Sequence, residues 1–192
     1  MKHLLKIVIL ALVLMSAHGQ TNLVEYKMIS TTNWYRGPDN MRIVGKLLYN
    51  TDVNAGWISL EGDCVAMSSM GYRPPIEITV VAKTDSTNLR LAYAADQIIF
   101  NWEINPSQLR VDGGPADGLH KDGAGQIPKG KYVTIKWVVT TTHQSIYVNG
   151  QLRYRHDGDY SQIVRRVSVF PANGSTVTVR SMTVKPIPDS TP

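Results

Sequence analysis

The chain has 192 residues, of which 43% are hydrophobic and 18% charged, and 20 basic against 15 acidic residues give a formal net charge of +5. This excess is too small to predict a nucleic-acid partner. Arg153, Arg155, Arg165 and Arg166 crowd one region, but they alternate with strand-forming residues as on a solvated strand face. With Cys64 as the only cysteine, no internal disulfide can form, so an apolar core must hold the fold together.

The first 19 residues predict a secretory signal peptide. Lys2 and Lys6 precede the apolar run 7–15, and the small residues Ala17 and Gly19 follow it. Cleavage after Gly19 removes two lysines and no acid, which leaves a formal charge of +3. The apolar run is shorter than the roughly 20 residues of a spanning helix, and no later segment is long and apolar enough. We therefore expect a secreted or periplasmic protein without a membrane span.

From Ile76 onward, apolar and polar residues alternate with a period of two, the pattern of strands with one buried face. The clearest cases are "IEITVVAK" and "YVTIKWVV", in which the predicted core positions are Ile76, Ile78, Val80, Ala82, Val133, Ile135, Trp137 and Val139. The segments "LRLAYA", "QIIFNW", "QLRVD", "VSVF" and "TVTVRSMTV" follow the same rule. In the last of these the alternation changes phase at Arg180 and Ser181, which predicts a β-bulge.

These strands are separated by turn formers such as "DSTN", "NPS" and "PANG", and no helix of more than a turn or two is indicated. The pattern predicts one all-β domain over residues 20–187. The proline-rich end "KPIPDSTP" has no apolar pattern, so residues 188–192 are expected to form a disordered tail.

The segment "QSIYVNGQLRYRH", residues 144–156, predicts a β-hairpin. A two-residue turn at Asn149 and Gly150 would mix apolar and charged side chains on both faces. A three-residue loop instead places Ile146, Leu152 and Tyr154 together on the buried face. The apolar pattern therefore favours the odd loop.

The stretch "VTIKWVVTTTHQSIYVNGQLRYRH" resembles the strand, hairpin and strand of concanavalin A-like lectin/glucanase (laminin-G-like) jelly rolls, where a Trp-bearing strand precedes a "YVNG" or "YVDG" hairpin. The closing "STVTVRSMTVKPI" looks like the last strand of that fold in secreted bacterial 3-keto-disaccharide hydrolase-like proteins. The resemblance covers about residues 76–187. It implies a two-sheet antiparallel jelly-roll sandwich whose concave face binds a carbohydrate, by analogy only.

The segment "DGGPADGLHKDGAGQ" is the most unusual part of the chain, because Asp-Gly recurs at residues 112, 117 and 122. Three successive turns explain it, but the loop 112–130 is about 19 residues long, and loops of that length tend to be functional or disordered. Its polar side chains offer sugar hydroxyls both donors and acceptors, and a Trp on the preceding strand offers a stacking surface. The candidate ligand-binding residues are Trp102, Asp112, Asp117, His120 and Asp122. One observation argues against Trp102 as a ligand-binding residue: it has the same parity in the period-two pattern as the core positions Ile98 and Phe100.

Catalytic residues are weakly indicated. In the related jelly-roll β-glucanases the acids follow a Glu-x-Asp-x-x-Glu pattern, and here Glu61-Gly62-Asp63 is followed by Ala66 at the third position. Glycoside hydrolysis needs two carboxylates about 5 to 9.5 Å apart. Glu77 with Glu103, or Glu61 with Asp63, remain open pairs, although solubilising strand charges are the favoured explanation.

Metal ligation is likewise weakly indicated. The segments "HDGD" at 156–159 and "HKD" at 120–122 lack a recognised ligand spacing. Turn chemistry accounts for them, and a structural Ca²⁺ on loop oxygens stays open. No cofactor is otherwise expected. The sequon "NGS" at 173–175 matters only if the source glycosylates secreted proteins.

Three functions follow as expectations. The favoured one is a lectin-like domain without catalytic activity that binds a carbohydrate or a cell-envelope polymer. The alternatives are a glycosidase-type enzyme acting on a disaccharide or modified sugar, and a structural or adhesive envelope module. The sequence does not indicate the oligomeric state.

Overall fold

The computed structural model describes residues 35–36, 41–44, 47–49, 58–62, 64–68, 70–172 and 174–188. The predicted signal peptide, Asp63, the sequon residue Asn173 and the last four residues of the predicted tail lie outside these ranges. The described residues form 14 strands, and every strand pair is antiparallel. The all-β prediction is confirmed.

The strands form two seven-stranded sheets within the described part of the chain. Sheet 1 has, in spatial order, β1 (Tyr35–Arg36), β2 (Met41–Val44), β5 (Val65–Ser68), β13 (Ser168–Phe170), β7 (Leu89–Ala92), β8 (Gln97–Phe100) and β9 (Arg110–Asp112). Sheet 2 has β12 (Gln151–Asp157), β11 (His143–Val148), β10 (Val133–Val139), β6 (Ile76–Thr84), β14 (Thr176–Pro186), β4 (Ile58–Glu61) and β3 (Leu47–Tyr49). This is the predicted two-sheet jelly-roll sandwich.

Helical structure is confined to a 3-10 turn at Gly114–Ala116 among the described residues. Within the same residues, no helix has the length and apolar character needed to cross a membrane.

The core lies between the sheets, as the period-two pattern predicts. Along β6 buried and half-buried residues alternate without a break, and the predicted inward residues of β10 are all buried. Trp137 is fully buried; its ring meets Tyr93 edge-on at 6.1 Å between centroids, and its Nε1 donates to Gln144 Oε1 at 2.9 Å. Tyr93 belongs to the segment after β7, so this contact joins the two sheets.

The hairpin between β11 and β12 differs from the prediction. Val148 pairs with Gln151, so the loop has two residues, Asn149 and Gly150, with φ of 49° and 81°. Positive φ at both positions is the geometry that an Asn-Gly hairpin turn favours. The odd three-residue loop is therefore wrong.

A bulge on β12 reconciles the even loop with the apolar pattern. Tyr147 pairs with Leu152 but Ile146 pairs with Tyr154, so Arg153 is the extra residue. The bulge returns Ile146 and Tyr154 to the buried face, as predicted, but leaves Leu152 at 49% exposure. The burial predicted for Leu152 is wrong.

The predicted bulge in the last strand is confirmed. The register of β14 against β6 shifts between Val179 and Ser181, which leaves Arg180 as the inserted residue. Val179 and Met182 are consequently both buried across the phase change.

Leu152→Ala should lower the free energy of unfolding by less than about 1 kcal/mol, because half of this side chain is already in water. The matched control is Ile146→Ala on the facing strand, which should cost about 2 to 5 kcal/mol because Ile146 is fully buried. Urea unfolding of both variants measures the difference. A cost above 2 kcal/mol for Leu152→Ala would restore the three-residue loop.

Candidate functional site

The face of sheet 1 that points away from the core carries an ordered row of side chains. Phe170 on β13 pairs with Arg90 on β7, Arg90 with Ile99 on β8, and Ile99 with Arg110 on β9. Directly paired residues point to the same face of a sheet, so these four lie side by side. Ile99 is only 1% exposed although it faces outward. Its neighbours in the row are Arg90 and Arg110, and arginine stems commonly pack over apolar surface.

Arg90 is the centre of this row. Its Nη1 donates to Gln97 Oε1 at 2.9 Å and its Nη2 to Asn88 Oδ1 at 3.0 Å, and Glu103 Oε2 lies 3.9 Å from Nη2. The side chain is 15% exposed. Burial lowers the pKa of Arg90 from its usual value, and Glu103 opposes that shift. A guanidinium stays protonated in proteins, so a fixed positive charge lies in a partly dry environment.

Asp112 extends the network to β9. Its carboxylate accepts from Arg110 Nε at 2.8 and 3.0 Å and from Gln97 Nε2 at 2.8 Å. The side chains of Asn88, Arg90, Gln97, Asp112 and Arg110 are thus joined by hydrogen bonds across three strands. We call these five residues the arginine network.

Trp102 lies beside the arginine network because the chain changes direction at Asn101. Asn101 has φ of 49°, a left-handed conformation that Asn tolerates. Its side chain is held by hydrogen bonds to both the N–H and the C=O of Ile127. Ile98 and Phe100 are buried, whereas Trp102 is half-buried, with the Arg110 guanidinium 4.4 Å from its ring centroid. The alternation that places Ile98 and Phe100 in the core therefore stops at Phe100 and does not extend to Trp102.

A hollow of about 390 Å³ opens on the same side of Arg90 as Phe170. The described residues lining it besides Arg90 are mostly small or apolar: Gly62, Val65, Phe170, Pro171 and Ala172, with buried Cys64. The residues predicted to bind a ligand do not line this hollow. The hollow and the predicted ligand-binding residues are therefore separate features of the structure.

The loop residues predicted with Trp102 bind the backbone and neighbouring side chains. Asp117 Oδ1 accepts from the Gly113 N–H at 2.6 Å, His120 Nδ1 accepts from the Val111 N–H at 3.1 Å, and Asp122 Oδ1 accepts from Gln108 Nε2 at 2.9 Å. All three residues are exposed. Among the predicted ligand-binding residues, the contacts bring Trp102 and Asp112 to the arginine network, and the ligand roles of the other three stay predictions.

Most of the arginine network is missed by sequence reasoning. A usable signal exists: Arg110 and Asp112 alternate on one predicted strand, Asn88 and Arg90 on another, and Gln97 has the polar parity of a third. The polar parity of three strands next to a half-buried Trp indicates a site only once the strand order is known.

The carboxylate pair Glu77 and Glu103 cannot act on one bond. Glu77 points outward from sheet 2, where it meets Lys136 Nζ at 3.1 Å, and Glu103 meets Arg90 on the outward side of sheet 1. The core separates the two. For the other pair, Glu61 Oε1 accepts from the Thr176 hydroxyl at 3.3 Å, while Asp63 lies outside the described residues.

The "HDGD" segment is held by local hydrogen bonds. His156 Nδ1 lies 2.7 Å from the Tyr160 hydroxyl, Asp157 accepts from Arg155 Nη2 at 2.9 Å, and Asp159 accepts from both the N–H and the hydroxyl of Ser161. No group of three or more His, Cys, Asp and Glu suited to a metal occurs in the part of the chain that the structure describes.

Comparison with known proteins identifies the fold but no sequence family. No family model matches the chain, and no curated protein matches it either. Solved structures do match. A Bacillus subtilis protein of unknown function with a galectin-like fold has 10% identity and a TM-score of 0.57, covering 75% of this chain and 88% of that one.

Two further structures are similar. The carbohydrate recognition domain of Emp47p has 9% identity and a TM-score of 0.52, covering 86% of this chain and 95% of that one. The carbohydrate binding module CBM66 from Bacillus subtilis has 12% identity and a TM-score of 0.50, covering 76% and 95%. At these identities the likeness establishes the fold alone. The chain has a concanavalin A-like jelly-roll fold, as the sequence resemblance implied.

Trp102→Ala should lower the free energy of unfolding by under about 2 kcal/mol, because the ring is half-buried and packs against a guanidinium at the surface. Trp137→Ala, the matched control, should cost about 3 to 5 kcal/mol because Trp137 is fully buried. Denaturant unfolding followed by circular dichroism compares them. Equal losses would place Trp102 in the core.

Ser161→Ala should raise the pKa of Asp159. The Ser161 hydroxyl is the first cause, and its N–H the second, of the lowered pKa of that carboxyl. Both hydrogen bonds favour the ionised carboxylate. Their contribution to the free energy of unfolding is therefore present above the unfolded-state pKa of Asp159 and is lost as pH falls through the folded-state pKa. Carboxyl-detected NMR titration measures the change. Ser107→Ala, whose hydroxyl binds Asn105, should leave the Asp159 titration unchanged.

Proposed function

We propose that this protein is a secreted carbohydrate-binding protein without catalytic activity, which binds a glycan on the outward face of sheet 1. The observation that carries the proposal is the arginine network beside Trp102. Sugar recognition needs a ring surface for the apolar face of a pyranose and fixed donors and acceptors for its hydroxyls. Both occur together at this place.

The chemistry of the arginine network suits hydroxyl groups. Asn88, Gln97 and Asp112 hold donors and acceptors at fixed positions, because each is already bound to a guanidinium or to a neighbour. Preorganised polar groups lose little conformational entropy on binding. Trp102 adds an amphipathic surface. Arg110 lies against one side of its ring and holds that side in place.

The names of two similar structures agree with this proposal. Emp47p is described by its carbohydrate recognition domain and CBM66 as a carbohydrate binding module. Their fold is shared with this chain. These names support a sugar ligand by analogy, and the arginine network supplies the local reason.

The absence of catalysis is part of the proposal. The acidic pattern of the related glucanases is broken at Ala66. Both oxygens of Asp112 accept hydrogen bonds from Arg110, which occupies the one carboxylate of the arginine network. A glycosidase-type enzyme is the second candidate, because Glu103 lies on the same face as Asp112.

Glycan-array screening of the purified protein, followed by calorimetry, should find a glycan that binds. Trp102→Ala and Arg110→Ala should each weaken that binding at least about tenfold, because each removes one side of the stacked pair. Glu77→Gln is the matched control: it alters a charged side chain on the opposite sheet and should leave the dissociation constant unchanged.

The other two functions give different results. Sugar release from a panel of glycosides that disappears in Glu103→Gln would establish the enzyme and contradict the lectin. Tight binding to whole cells or to a partner protein, with no binding to free glycans, would establish an adhesive module instead.

A further inference from the structure

The strand β12 forms one edge of sheet 2, because β11 is its only partner among the described residues. Alternate residues of an antiparallel strand turn their N–H and C=O groups to opposite edges. Gly158, directly after β12, donates its N–H to the Thr142 carbonyl at 2.9 Å, so Gly158 and His156 face β11. The backbone groups of Arg155 and Asp157 therefore point to the free edge, and no other backbone in the described part of the chain pairs with them there.

The side chains along this edge carry opposite charges in a symmetric order. Residues 153–159 read "RYRHDGD", so each arginine on one side of His156 has an aspartate at the same distance on the other side. Tyr154 is buried in the core, whereas the side chains of Arg155 and Asp157 are 51% and 73% exposed, and Arg155 Nη2 lies 2.9 Å from Asp157 Oδ1. This order is complementary to a second copy of itself that runs in the opposite direction.

Only one two-fold register places opposite charges face to face. When the pairing is centred on His156, Arg155 lies opposite Asp157 of the second copy, and the reverse holds for the other two residues. The four charges then alternate in sign, and each facing pair exchanges two backbone hydrogen bonds. A centre on Arg155 or on Asp157 would bring that residue opposite its own copy, and a centre on Tyr154 would bring Arg153 opposite Arg155. Charge therefore selects the register about His156.

Protection of the edge is the competing explanation, because charged residues and bulges keep edge strands from aggregating. The bulge at Arg153 does limit the edge, since the regular ladder runs only from Tyr154 to Gly158. A run of cations alone would repel a second copy in every register, whereas the order found here disfavours the other registers and favours one. Two-fold pairing also uses the free edge of both copies. The edge thus opposes open-ended association and permits a closed dimer.

We propose that β12 is a dimerisation edge, on which a second copy of this chain pairs antiparallel about His156. The dimer does not depend on the proposed function. The two-fold axis of an antiparallel edge-to-edge pair stands perpendicular to the joined sheet, so both copies present the outward face of sheet 1 on the same side. A polymeric glycan would then contact two sites at once, which raises its apparent affinity. This last consequence rests on the proposed function.

Sedimentation velocity of the purified protein at about 10 µM to 1 mM tests the dimer, because one short strand pair makes a small interface and a weak association. The unaltered protein should shift from monomer toward dimer across this range. Arg155→Asp makes the edge acidic and Asp157→Arg makes it basic. Each should weaken dimerisation at least about tenfold, because like charges then face each other.

Lys185→Asp is the matched control. It makes the same change of charge as Arg155→Asp at an exposed position of β14, and three strands of sheet 2 separate β14 from β12. The dimer should form unchanged in this variant.

A mixture of the two reversed variants decides the register. The acidic edge of Arg155→Asp then faces the basic edge of Asp157→Arg, so a heterodimer should form although each variant alone is impaired. Both positions are exposed, so neither change should unfold the protein. Hydrogen exchange gives an independent readout: the Arg155 and Asp157 amides should become protected as concentration rises, whereas the His156 amide, which faces β11, should be protected at every concentration.

A protein that stays monomeric up to about 1 mM would overturn the proposal. A dimer that persists undiminished in both reversed variants would overturn it too, as would a mixture of the two that forms no heterodimer. None of these results bears on glycan binding by the monomer. Failure of every glycan on an array would overturn the proposed function and leave the dimer standing.

Discussion

The whole structure depends on the burial of apolar side chains between the two sheets. Because the chain has a single cysteine, no internal disulfide adds to the stability that this burial provides. β6 pairs with β10 on one edge and with β14 on the other. The alternation of buried and outward residues must therefore match across these three strands. A shift of one residue in any of them would bring polar side chains into the core. The alternation of buried and outward residues does change phase at Arg180. A bulge at this residue returns the apolar side chains that follow it to the core.

The same constraint arranges the candidate site. Once Leu91, Ile98 and Val111 face the core, the residues next to them along β7, β8 and β9 must face outward. Partly exposed ion pairs such as Arg110 with Asp112 contribute about 0 to 1 kcal/mol each, and covering Ile99 needs no charge. The hydrogen bonds of the mostly buried Arg90 stabilise the fold more than such a pair does. The recognition role that we propose for the arginine network is therefore additional to a structural one.

Period-two alternation was sufficient to predict the strands from Ile76 onward, the buried Trp137 and the bulge in the last strand, because each depends on residues close in sequence. The pattern failed at the hairpin, because the prediction assumed a continuous register. The inserted residue Arg153 instead allows a loop of two residues. The pattern also missed Arg90, because an arginine of polar parity is usually just solvated. What makes Arg90 unusual is its neighbours on β8 and β13, and the adjacency of β13 to β7 depends on a crossover that no local pattern reveals.

The Asp-Gly loop affects the candidate site by a route that composition does not suggest. Lys121 pairs with Leu109 through both backbone hydrogen bonds, so the loop covers the edge of β9, which would otherwise present unpaired N–H and C=O groups. The same loop accepts a hydrogen bond from the Asn101 N–H at Gly125, and two residues later Ile127 holds the Asn101 side chain. These contacts fix the left-handed conformation of Asn101, which places Trp102 beside Arg110. The loop thus acts on the site by positioning Trp102 through Asn101, and this role does not require Asp117, His120 or Asp122 to touch a ligand.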